Sequence, residues 1–406
     1  MPTTTTLKTA GLPGSAPAAA RAVFKLLEKL QIGSLDLQLP EGSSIHFGTQ
    51  TEPRAALRIR NWEVCAAVLR SGDIGFAESY VAGHWSTPDL RALLTLMLRN
   101  REVLERAIYG SWWGSLLYRL RHLTNRNSRA GSRKNIHAHY DLGNEFYKLW
   151  LDPSMNYSSA LFAGDGAQSL TQAQEAKMRR ALAQCQLQPG QRVLEIGCGW
   201  GAVAECAARD FGAQLLGVTL STEQLAYGQQ RLQSAGLDSQ AELRLQDYRD
   251  IPESGFDAIV SIEMFEAVGR QYWDGYFRTV ADKLKSGGRA CIQTITIRDD
   301  LFERYSRSTD FIQQYVFPGG MLPSPSLFRA HARAAGLEVV EELAFGPDYA
   351  ETLRLWREAF LQREAQVLRQ GFDRRFIALW EFYLAYCEAA FATGNTDVVQ
   401  FTLRKP

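Results

Sequence analysis

The sequence predicts an α/β protein with a doubly wound parallel sheet and a helical insertion, preceded by a small α+β domain. From residue 185 onward, strand-like and helix-like segments alternate with short turns, which is typical of a parallel sheet with helices on both faces. Within this region the stretch VLEIGCGWG, residues 193–201, places a glycine-lined turn between a strand and a helix. The first 118 residues instead contain short strand-like pieces separated by Gly and Pro.

The composition is that of an ordinary globular protein, with 46% hydrophobic and 22% charged residues. A formal net charge of +1 gives no global argument for a nucleic-acid partner. The six cysteines are scattered without a CxxC pair, which favours free thiols in a reducing compartment over disulfides or a zinc site. Since no apolar run approaches the roughly 20 residues that span a bilayer, we expect a cytoplasmic protein that reaches any lipid from the side.

The N-terminal region divides into a tail, a domain and a linker. Residues 1–20, rich in Thr, Ala, Gly and Pro, are expected to be a flexible tail. Residues 21–118 form the small domain, with an amphipathic helix (ARAVFKLLEKL), three strands (SLDLQLP, SIHFG, AALRIRN) and a long helix (DLRALLTLMLRNREVLERA). The linker 119–134 carries six Lys or Arg and no acid, so it is either a solvated connector or a foothold on an anionic membrane, aided by the aromatics of WWGSLLYRL.

Residues 135–406 are predicted to form the main domain. Its predicted elements are strand 192–196, helix 202–211, strand 214–219, helix 223–235, strand 241–245, strand 256–262, helix 271–284, strand 289–297, an irregular aromatic stretch 299–325, helices 349–370 and 376–392, and a last strand 397–403 at the sheet edge. His137 and His139 lie before the glycine turn without a third metal ligand, and we interpret them as hydrogen-bonding residues.

The glycine turn predicts a ligand at the carboxyl edge of the sheet. Dinucleotide sites begin with GxGxxG and carry an acid at the tip of the second strand, whereas this chain has GxGxG and ends that strand with GVTLSTEQ. Glu195 precedes the first glycine by two residues, where its carboxylate can meet a ligand ammonium. Gln246 and Asp247 at the end of the third strand can bracket an adenine amine. A sulfonium cofactor with an amino-acid tail suits this arrangement better than a pyrophosphate.

Residues 60–403 resemble the cyclopropane fatty-acid synthase family, within the Rossmann-like class I methyltransferases that use S-adenosylmethionine. The resemblance rests on SYVAGHW, HYDLGNEFYKLWLDPSMNYSSALF, VLEIGCGWG, GVTLSTEQ, QDYRD, SIEMFEAVG, FPGGMLPS, FGPDYAETLRLW and YLAYCEAAF, in that order. It implies a small domain that engages phospholipid and pairs subunits into a homodimer. It also implies S-adenosylmethionine bound by Tyr157, Ser158, Glu195, Gly197, Cys198, Gly199, Trp200, Gly201, Thr219, Ser221, Gln224, Gln246 and Asp247.

The chemistry implied is methyl transfer to an alkene, which leaves a carbocation on the acyl chain. Water must be excluded, and aromatic faces can stabilise the cation. The insertion offers Tyr315, Phe317, Tyr349, Trp356 and Tyr383 for this, although plain core packing explains at least half of them. Loss of a proton from the new methyl group closes a cyclopropane ring.

In the family that proton goes to a bound bicarbonate, and the chain departs from the family's pattern at this site. Glu266, Ile295 and Tyr349 match the family's anion-holding residues, while its Cys and His are replaced by Ser159 and Gln293, and Ala267 stands where a His usually follows the Glu. Ser and Gln can still donate hydrogen bonds to bicarbonate, but a potentially cationic imidazole is lost. We therefore expect inefficient ring closure and a methylated or methylene-bearing product.

Cys387 matches a family cysteine that has been suspected of catalysis, but burial in an apolar helix explains it better. The sequence thus predicts a C-methyltransferase that acts on unsaturated acyl chains of membrane phospholipid, with a separate redox enzyme where a branch must be reduced. Two alternatives stay open: a methyltransferase on a small amine or other metabolite, and a catalytically idle lipid-binding protein.

Overall fold

A computed structural model of the chain describes residues 16–49, 51–108, 142–164 and 166–406. The predictions for the tail up to residue 15, for the basic linker 119–134, for the aromatics of WWGSLLYRL, and for His137 and His139 lie outside these residues. No helix in the described ranges combines the length and apolar character needed to cross a bilayer. The same ranges hold no cluster of three or more His, Cys, Asp or Glu side chains suited to a metal ion.

The N-terminal part contains a four-stranded sheet covered by helices. Its strands lie in the order β2-β1-β3-β4, with β1 parallel to β3 and antiparallel to β2. The elements are α1 (Ala18–Leu27), β1 (Ser34–Gln38), β2 (Ser44–Gly48), β3 (Arg54–Ile59), α2 (Glu63–Val81), β4 (Trp85–Ser86), α3 (Leu90–Arg99) and α4 (Arg101–Ile108).

Three features of this part differ from the sequence-based prediction. The first helix begins at Ala18, inside the predicted tail, and buries Ala20 completely. The single long helix is divided into α3 and α4 at Asn100, whose buried side chain accepts the N–H groups of Gln31 and Ile32. Helix α2 was not predicted, and Gly72, with φ 58° and ψ −128°, interrupts it, which masks its helical periodicity.

The C-terminal part is built on a seven-stranded sheet in the order β10-β11-β9-β8-β5-β6-β7. Strands β9 to β7 in this order run parallel, β11 runs antiparallel to β9, and β10 runs antiparallel to β11. The elements are α5 (Asn144–Tyr147), α6 (Leu170–Gln184), β5 (Arg192–Ile196), α7 (Ala202–Phe211), β6 (Gln214–Thr219), α8 (Thr222–Ser234), β7 (Ala241–Leu245), β8 (Phe256–Ile262), α9 (Trp273–Lys283), β9 (Leu284–Ile297), α10 (Asp299–Tyr305), α11 (Phe311–Tyr315), α12 (Pro325–Ala334), β10 (Glu338–Ala344), α13 (Gly346–Gln362), α14 (Glu364–Arg369), α15 (Arg374–Ala392) and β11 (Thr396–Arg404).

The predicted doubly wound α/β fold is confirmed, but the edge of the sheet differs. The last strand, β11, pairs onto β9 as predicted, but it is not the outermost strand, because β10 pairs with its other side. Strand β10 was not predicted from the sequence, because it is acidic and most of its side chains are exposed. Its glutamates are held by Arg180, Arg329 and Arg404, and a charged edge of this kind discourages pairing with other chains.

The small domain and the helical insertion share one hydrophobic core. Helix α15 packs against α13 on one side and against α2 and α3 on the other. The core includes Phe24, Trp85, Trp356 and Phe382, all almost completely buried. Consequently the space between the two parts of the chain is enclosed by apolar side chains.

Candidate active site

A cavity of about 160 Å³ opens where β5, β6, β7 and β8 end at their carboxyl edges. All the predicted cofactor residues except Gly201 and Ser221 line it: Tyr157, Ser158, Glu195, Gly197, Cys198, Gly199, Trp200, Thr219, Gln224, Gln246 and Asp247. In a doubly wound sheet this edge is the usual ligand site. The structure thus brings together residues that lie up to 90 positions apart in the sequence.

The glycine turn after β5 needs glycine for two different reasons. Gly197 has φ 87°, and a Cβ added there would come within 2.8 Å of the Met264 side chain. Gly201, with φ 81°, precedes α7 and faces the backbone of Gly228 at 3.1 Å from an added Cβ. Gly197 therefore keeps the cavity open, whereas Gly201 allows α7 to pack closely against α8.

Glu195 presents an unsatisfied carboxylate oxygen to this cavity. The side chain is 2% exposed, and its Oε2 finds no hydrogen-bond partner among the described residues. Burial raises the pKa of Glu195 to about 8, and the positive charge of Lys177 counteracts part of that rise. A buried acceptor without a partner is costly, so the geometry fits a ligand that brings an ammonium group, as S-adenosylmethionine does.

The second and third strands provide a hydrogen-bonded rim. The Thr219 hydroxyl donates to Gln224 Oε1 at 3.0 Å and accepts the Ser221 N–H at 3.2 Å. Ser221 itself caps the start of α8 and lies outside the cavity lining, so its place in the structure is that of a helix cap. Asp247 is buried and accepts two hydrogen bonds from the Arg249 guanidinium, which fixes its carboxylate at the rim.

On the opposite wall, a fully buried lysine supports the segment that contains Tyr157 and Ser158. Lys177 Nζ donates to Ser158 Oγ at 2.6 Å, and the Gln174 amide donates to the Ser158 carbonyl at 2.8 Å. Burial lowers the pKa of Lys177 to about 8, while nearby carboxylates, that of Glu263 first, counteract the decrease. The lysine therefore lies as a potential cation just behind the cavity.

A second, mainly apolar cavity of about 200 Å³ adjoins the first. Tyr157, Glu263 and Ala267 line both cavities and form the wall where they meet. Of the predicted aromatic residues, Phe317, Tyr349 and Tyr383 line the second cavity. Trp356 is completely buried in the core instead, and Tyr315 lies 39% exposed at the surface, where it contacts Glu78.

The carboxylate of Glu263 lies at the centre of this wall and was not assigned a role from the sequence. Its Oε1 accepts the Ser159 backbone N–H at 2.8 Å and the Gln293 side-chain amide at 2.7 Å. Its Oε2 accepts the Tyr349 hydroxyl at 2.6 Å. Glu263 follows β8 directly and has φ 48°, an unusual backbone conformation for a residue with a side chain.

These contacts decide how the residues fit bicarbonate. Donors from Ser159, Gln293 and Tyr349, which were expected to hold the anion, all converge on the Glu263 carboxylate. The Ile295 N–H, another expected donor, is taken by Glu266. A bicarbonate ion would have to displace Glu263 or lie against its negative charge, so these residues do not fit the ion. The Ser159 hydroxyl points away and donates to the Ala160 carbonyl.

Glu266 lies nearby with a different environment. Its Oε1 accepts hydrogen bonds from the Thr294 hydroxyl at 3.0 Å and from the Ile295 N–H, while no described residue pairs with its Oε2. Burial and the charge of Glu263 raise the pKa of Glu266 to about 8. Burial also raises the pKa of Glu263, but Lys177 and its three donors oppose that rise. At neutral pH we therefore assign the negative charge to Glu263 and the proton to Glu266.

Cys387 lines the apolar cavity from α15. Burial raises the pKa of its thiol far above the ordinary value, so the thiolate is not available near neutral pH. Its position suits contact with an apolar ligand and not nucleophilic attack.

Comparisons with known proteins agree with this geometry. Residues 127–401 match the family model described as mycolic acid cyclopropane synthetase. A tuberculostearic acid methyltransferase of Mycobacterium tuberculosis is 38% identical over 401 residues, which cover 96% of this chain and 92% of the relative. The cyclopropane-fatty-acyl-phospholipid synthase of Escherichia coli is 36% identical over 353 residues, covering 85% and 87%.

Among solved structures, the mycolic acid cyclopropane synthase CmaA1 in complex with SAH and CTAB superposes with a TM-score of 0.64. It is 34% identical in sequence, and the match covers 67% of this chain and 98% of that one. About a third of this chain therefore has no counterpart in that superposition.

Proposed function

The chain belongs to the mycolic acid cyclopropane synthetase family and is an S-adenosylmethionine-dependent methyltransferase that modifies lipid acyl chains. On that premise we propose that it methylates the double bond of unsaturated phospholipid acyl chains and uses Glu263 as its own general base in place of bicarbonate. The observation that carries this proposal is the convergence of three hydrogen-bond donors on the Glu263 carboxylate between the two cavities.

The two cavities provide the arrangement that methyl transfer requires. S-adenosylmethionine, which supplies the methyl group, suits the cavity that contains Glu195 and Gly197. The alkene suits the apolar cavity, whose enclosed walls keep water from the reacting carbon atoms. Because the cavities meet at Tyr157, Glu263 and Ala267, the methyl group and the double bond can approach each other there.

Aromatic side chains surround the place where the carbocation develops. Tyr157 and Tyr383 line the apolar cavity, and their hydroxyl groups lie 2.7 Å apart in a hydrogen bond. This hydrogen bond fixes both rings, whose faces can stabilise positive charge. Tyr349 adds a third ring and also orients Glu263.

Glu263 accounts for removal of the proton. Its carboxylate accepts a proton from the methyl group that has been added, and the electron pair of the broken C–H bond forms either a ring C–C bond or an exocyclic C=C bond. Burial raises the pKa of Glu263, and the three donors and the nearby Lys177 oppose that rise, so the carboxylate stays ionised and fixed in position. A 1,2-hydride shift that precedes proton removal moves the positive charge to the methyl-bearing carbon. We therefore propose a methylene-branched product, which a separate redox enzyme would reduce to a methyl branch.

Product analysis tests this proposal. The purified protein is incubated with S-adenosylmethionine and vesicles of monounsaturated phospholipid, and the acyl chains are analysed by mass spectrometry and ozonolysis. We expect a gain of one CH₂ and, after ozonolysis, a ketone on the acyl chain, with an equal rate in buffer freed of carbon dioxide. An ozone-resistant product formed only with added bicarbonate would contradict the proposal, as would methylation of small amines without methylation of lipid.

The small domain supports a lipid substrate through a third cavity. This chamber of about 260 Å³ is lined mainly by apolar residues of α1, β1, β3, α2 and α3, and its wall also contains Asp73, Arg101 and Asp310. One layer of side chains separates the chamber from the apolar cavity of the active site. Six residues line both spaces: Tyr305, Asp310, Leu322, Tyr386, Ala390 and Thr396. We propose that the chamber receives the methyl end of a long acyl chain while the head group stays at the membrane surface.

Filling the chamber is expected to change chain-length preference. Met97 lines it from α3, so Met97→Trp should lower kcat/KM for a long acyl chain by roughly tenfold or more relative to a chain several carbons shorter, since each excluded CH₂ forfeits about 0.8 kcal/mol of apolar burial. Met97→Leu keeps the volume and serves as the control. Equal losses for long and short chains would show that the chamber does not receive the substrate.

A further inference from the structure

A chain of hydrogen bonds links the active site to the edge of the sheet through two glutamines. Gln293 on β9 and Gln400 on β11 lie directly opposite each other in the antiparallel pair, and both are completely buried. Gln400 Nε2 donates to Gln293 Oε1 at 3.0 Å, and Gln293 Nε2 donates to Glu263 Oε1 at 2.7 Å. The Gln293 amide therefore contacts Glu263 through its NH₂ group and Gln400 through its oxygen.

At the outer end of this series of hydrogen bonds lies Arg180, whose guanidinium group can only donate. Arg180 on α6 donates through Nη1 to Gln400 Oε1 at 2.6 Å, and the same guanidinium pairs with Glu341 on β10. Gln400 Nε2 also donates to the backbone carbonyl of Lys177 at 3.2 Å, and that carbonyl can only accept. Both neighbours therefore require the same orientation of the Gln400 amide.

The orientation of Gln400 then determines that of Gln293. The two ends of an amide have nearly the same shape, so the surrounding hydrogen bonds decide which end is oxygen and which is nitrogen. Since Gln400 offers its NH₂ group, Gln293 must turn its oxygen toward Gln400 and its NH₂ group toward Glu263. The opposite orientation would place an oxygen against the Glu263 carboxylate, which is repulsive.

We infer that Arg180 and Gln400 are positioning residues that hold Gln293 in the one amide orientation in which it donates to Glu263. This inference rests on the proposed role of Glu263 as the general base. Neither positioning residue lines either of the two active-site cavities. Their side-chain contact with the reaction site runs through Gln293, which takes the place of the histidine that the family resemblance led us to expect.

The decisive variant is Gln400→Glu, which preserves the shape of the side chain. The new carboxylate still accepts from Arg180 but has no N–H for Gln293, so it favours the reversed orientation of the Gln293 amide. Glu263 would then lose one donor, while Lys177, Tyr349 and Glu266 continue to face it. We expect the acid limb of the kcat–pH profile, measured at saturating S-adenosylmethionine, to move upward by about one pH unit or more.

A second variant separates orientation from added charge. Gln400→Leu removes the amide without adding a charge and leaves Gln293 free to adopt either orientation, so a smaller shift in the same direction is expected. Thr402→Val, on the same strand and also buried, is the control for lost polarity, and its profile should not move. If Gln400→Leu leaves the profile unchanged while Gln400→Glu moves it, the effect is one of charge and the positioning role is refuted.

The profile of Glu263→Gln distinguishes failure of this inference from failure of the proposed function. Loss of both the rate and the acid limb in Glu263→Gln, with unshifted profiles in both Gln400 variants, would leave the general base in place and refute only the positioning role. A Glu263→Gln variant that keeps the rate and the acid limb of the kcat–pH profile would refute both the positioning role and the role of Glu263 as general base.

Discussion

Replacing Glu263 by alanine is expected to lower the rate of product formation by about 10²- to 10⁴-fold, the usual contribution of a general base. The carboxylate is the acceptor for Ser159, Gln293 and Tyr349, so its removal leaves these three donors facing an empty space. Binding of S-adenosylmethionine should be largely retained, because Glu195 and the glycine turn are unchanged. The measurement is single-turnover product formation, together with calorimetric binding of the cofactor.

Chemical rescue provides the sharper part of this experiment. The space opened in Glu263→Ala retains three donors that suit a small carboxylate, so added bicarbonate or formate should restore part of the rate. Glu263→Gln is the matched control, since its amide fills the same space and should not be rescued. A Glu263→Ala variant that keeps its rate within a few-fold, without added anion, would show that the proton goes elsewhere.

The elements that the sequence predicts well are those with a simple apolar pattern. Strands β5, β6 and β8 are nearly uninterrupted buried runs and β7 begins with a simple alternation of buried and exposed residues, and the predicted bounds of all four agree with the structure. Helix α6 was not predicted because its buried face carries Gln174 and Lys177, which break the helical apolar pattern. Those two polar residues are buried because they support the Ser158 segment of the active site.

The position of Glu263 could not be derived from periodicity for a related reason. Three segments far apart in the chain supply its donors, and the backbone at Glu263 adopts a positive φ that sequence pattern does not specify. A signal was nevertheless present, since SIEMFEAVG contains a second glutamate three residues before Glu266. Ser159 and Gln293 replace the expected cysteine and histidine, and Glu263 adds a carboxylate beside them. Together these differences indicate that a side chain takes the place of bound bicarbonate.

The Glu195→Gln substitution is expected to weaken binding of S-adenosylmethionine by about 10- to 100-fold. The expected loss corresponds to one hydrogen bond between charged groups, about 1.5–3 kcal/mol, because Glu195 Oε2 is buried beside the cofactor cavity with no partner in the described part of the chain. Glu205→Gln, on α7 and outside the cavity lining, is the control. Isothermal titration calorimetry measures both.

The raised pKa of Glu195 also predicts how the affinity for S-adenosylmethionine changes with pH. Since burial raises the pKa of Glu195 to about 8, the free protein holds a proton on this carboxyl group below pH 8. An ammonium group binds the ionised form, so the proton must leave, and affinity should fall by up to about tenfold for each pH unit from 8 towards 6. Titrations at pH 7 in two buffers of different ionisation enthalpy should show release of close to one proton.

Lys177 titrates in the same range because burial lowers its pKa to about 8, so the Glu195→Gln variant is needed to separate the two groups. Proton release that persists unchanged in Glu195→Gln would assign it to Lys177 and remove Glu195 as the partner of the ammonium group.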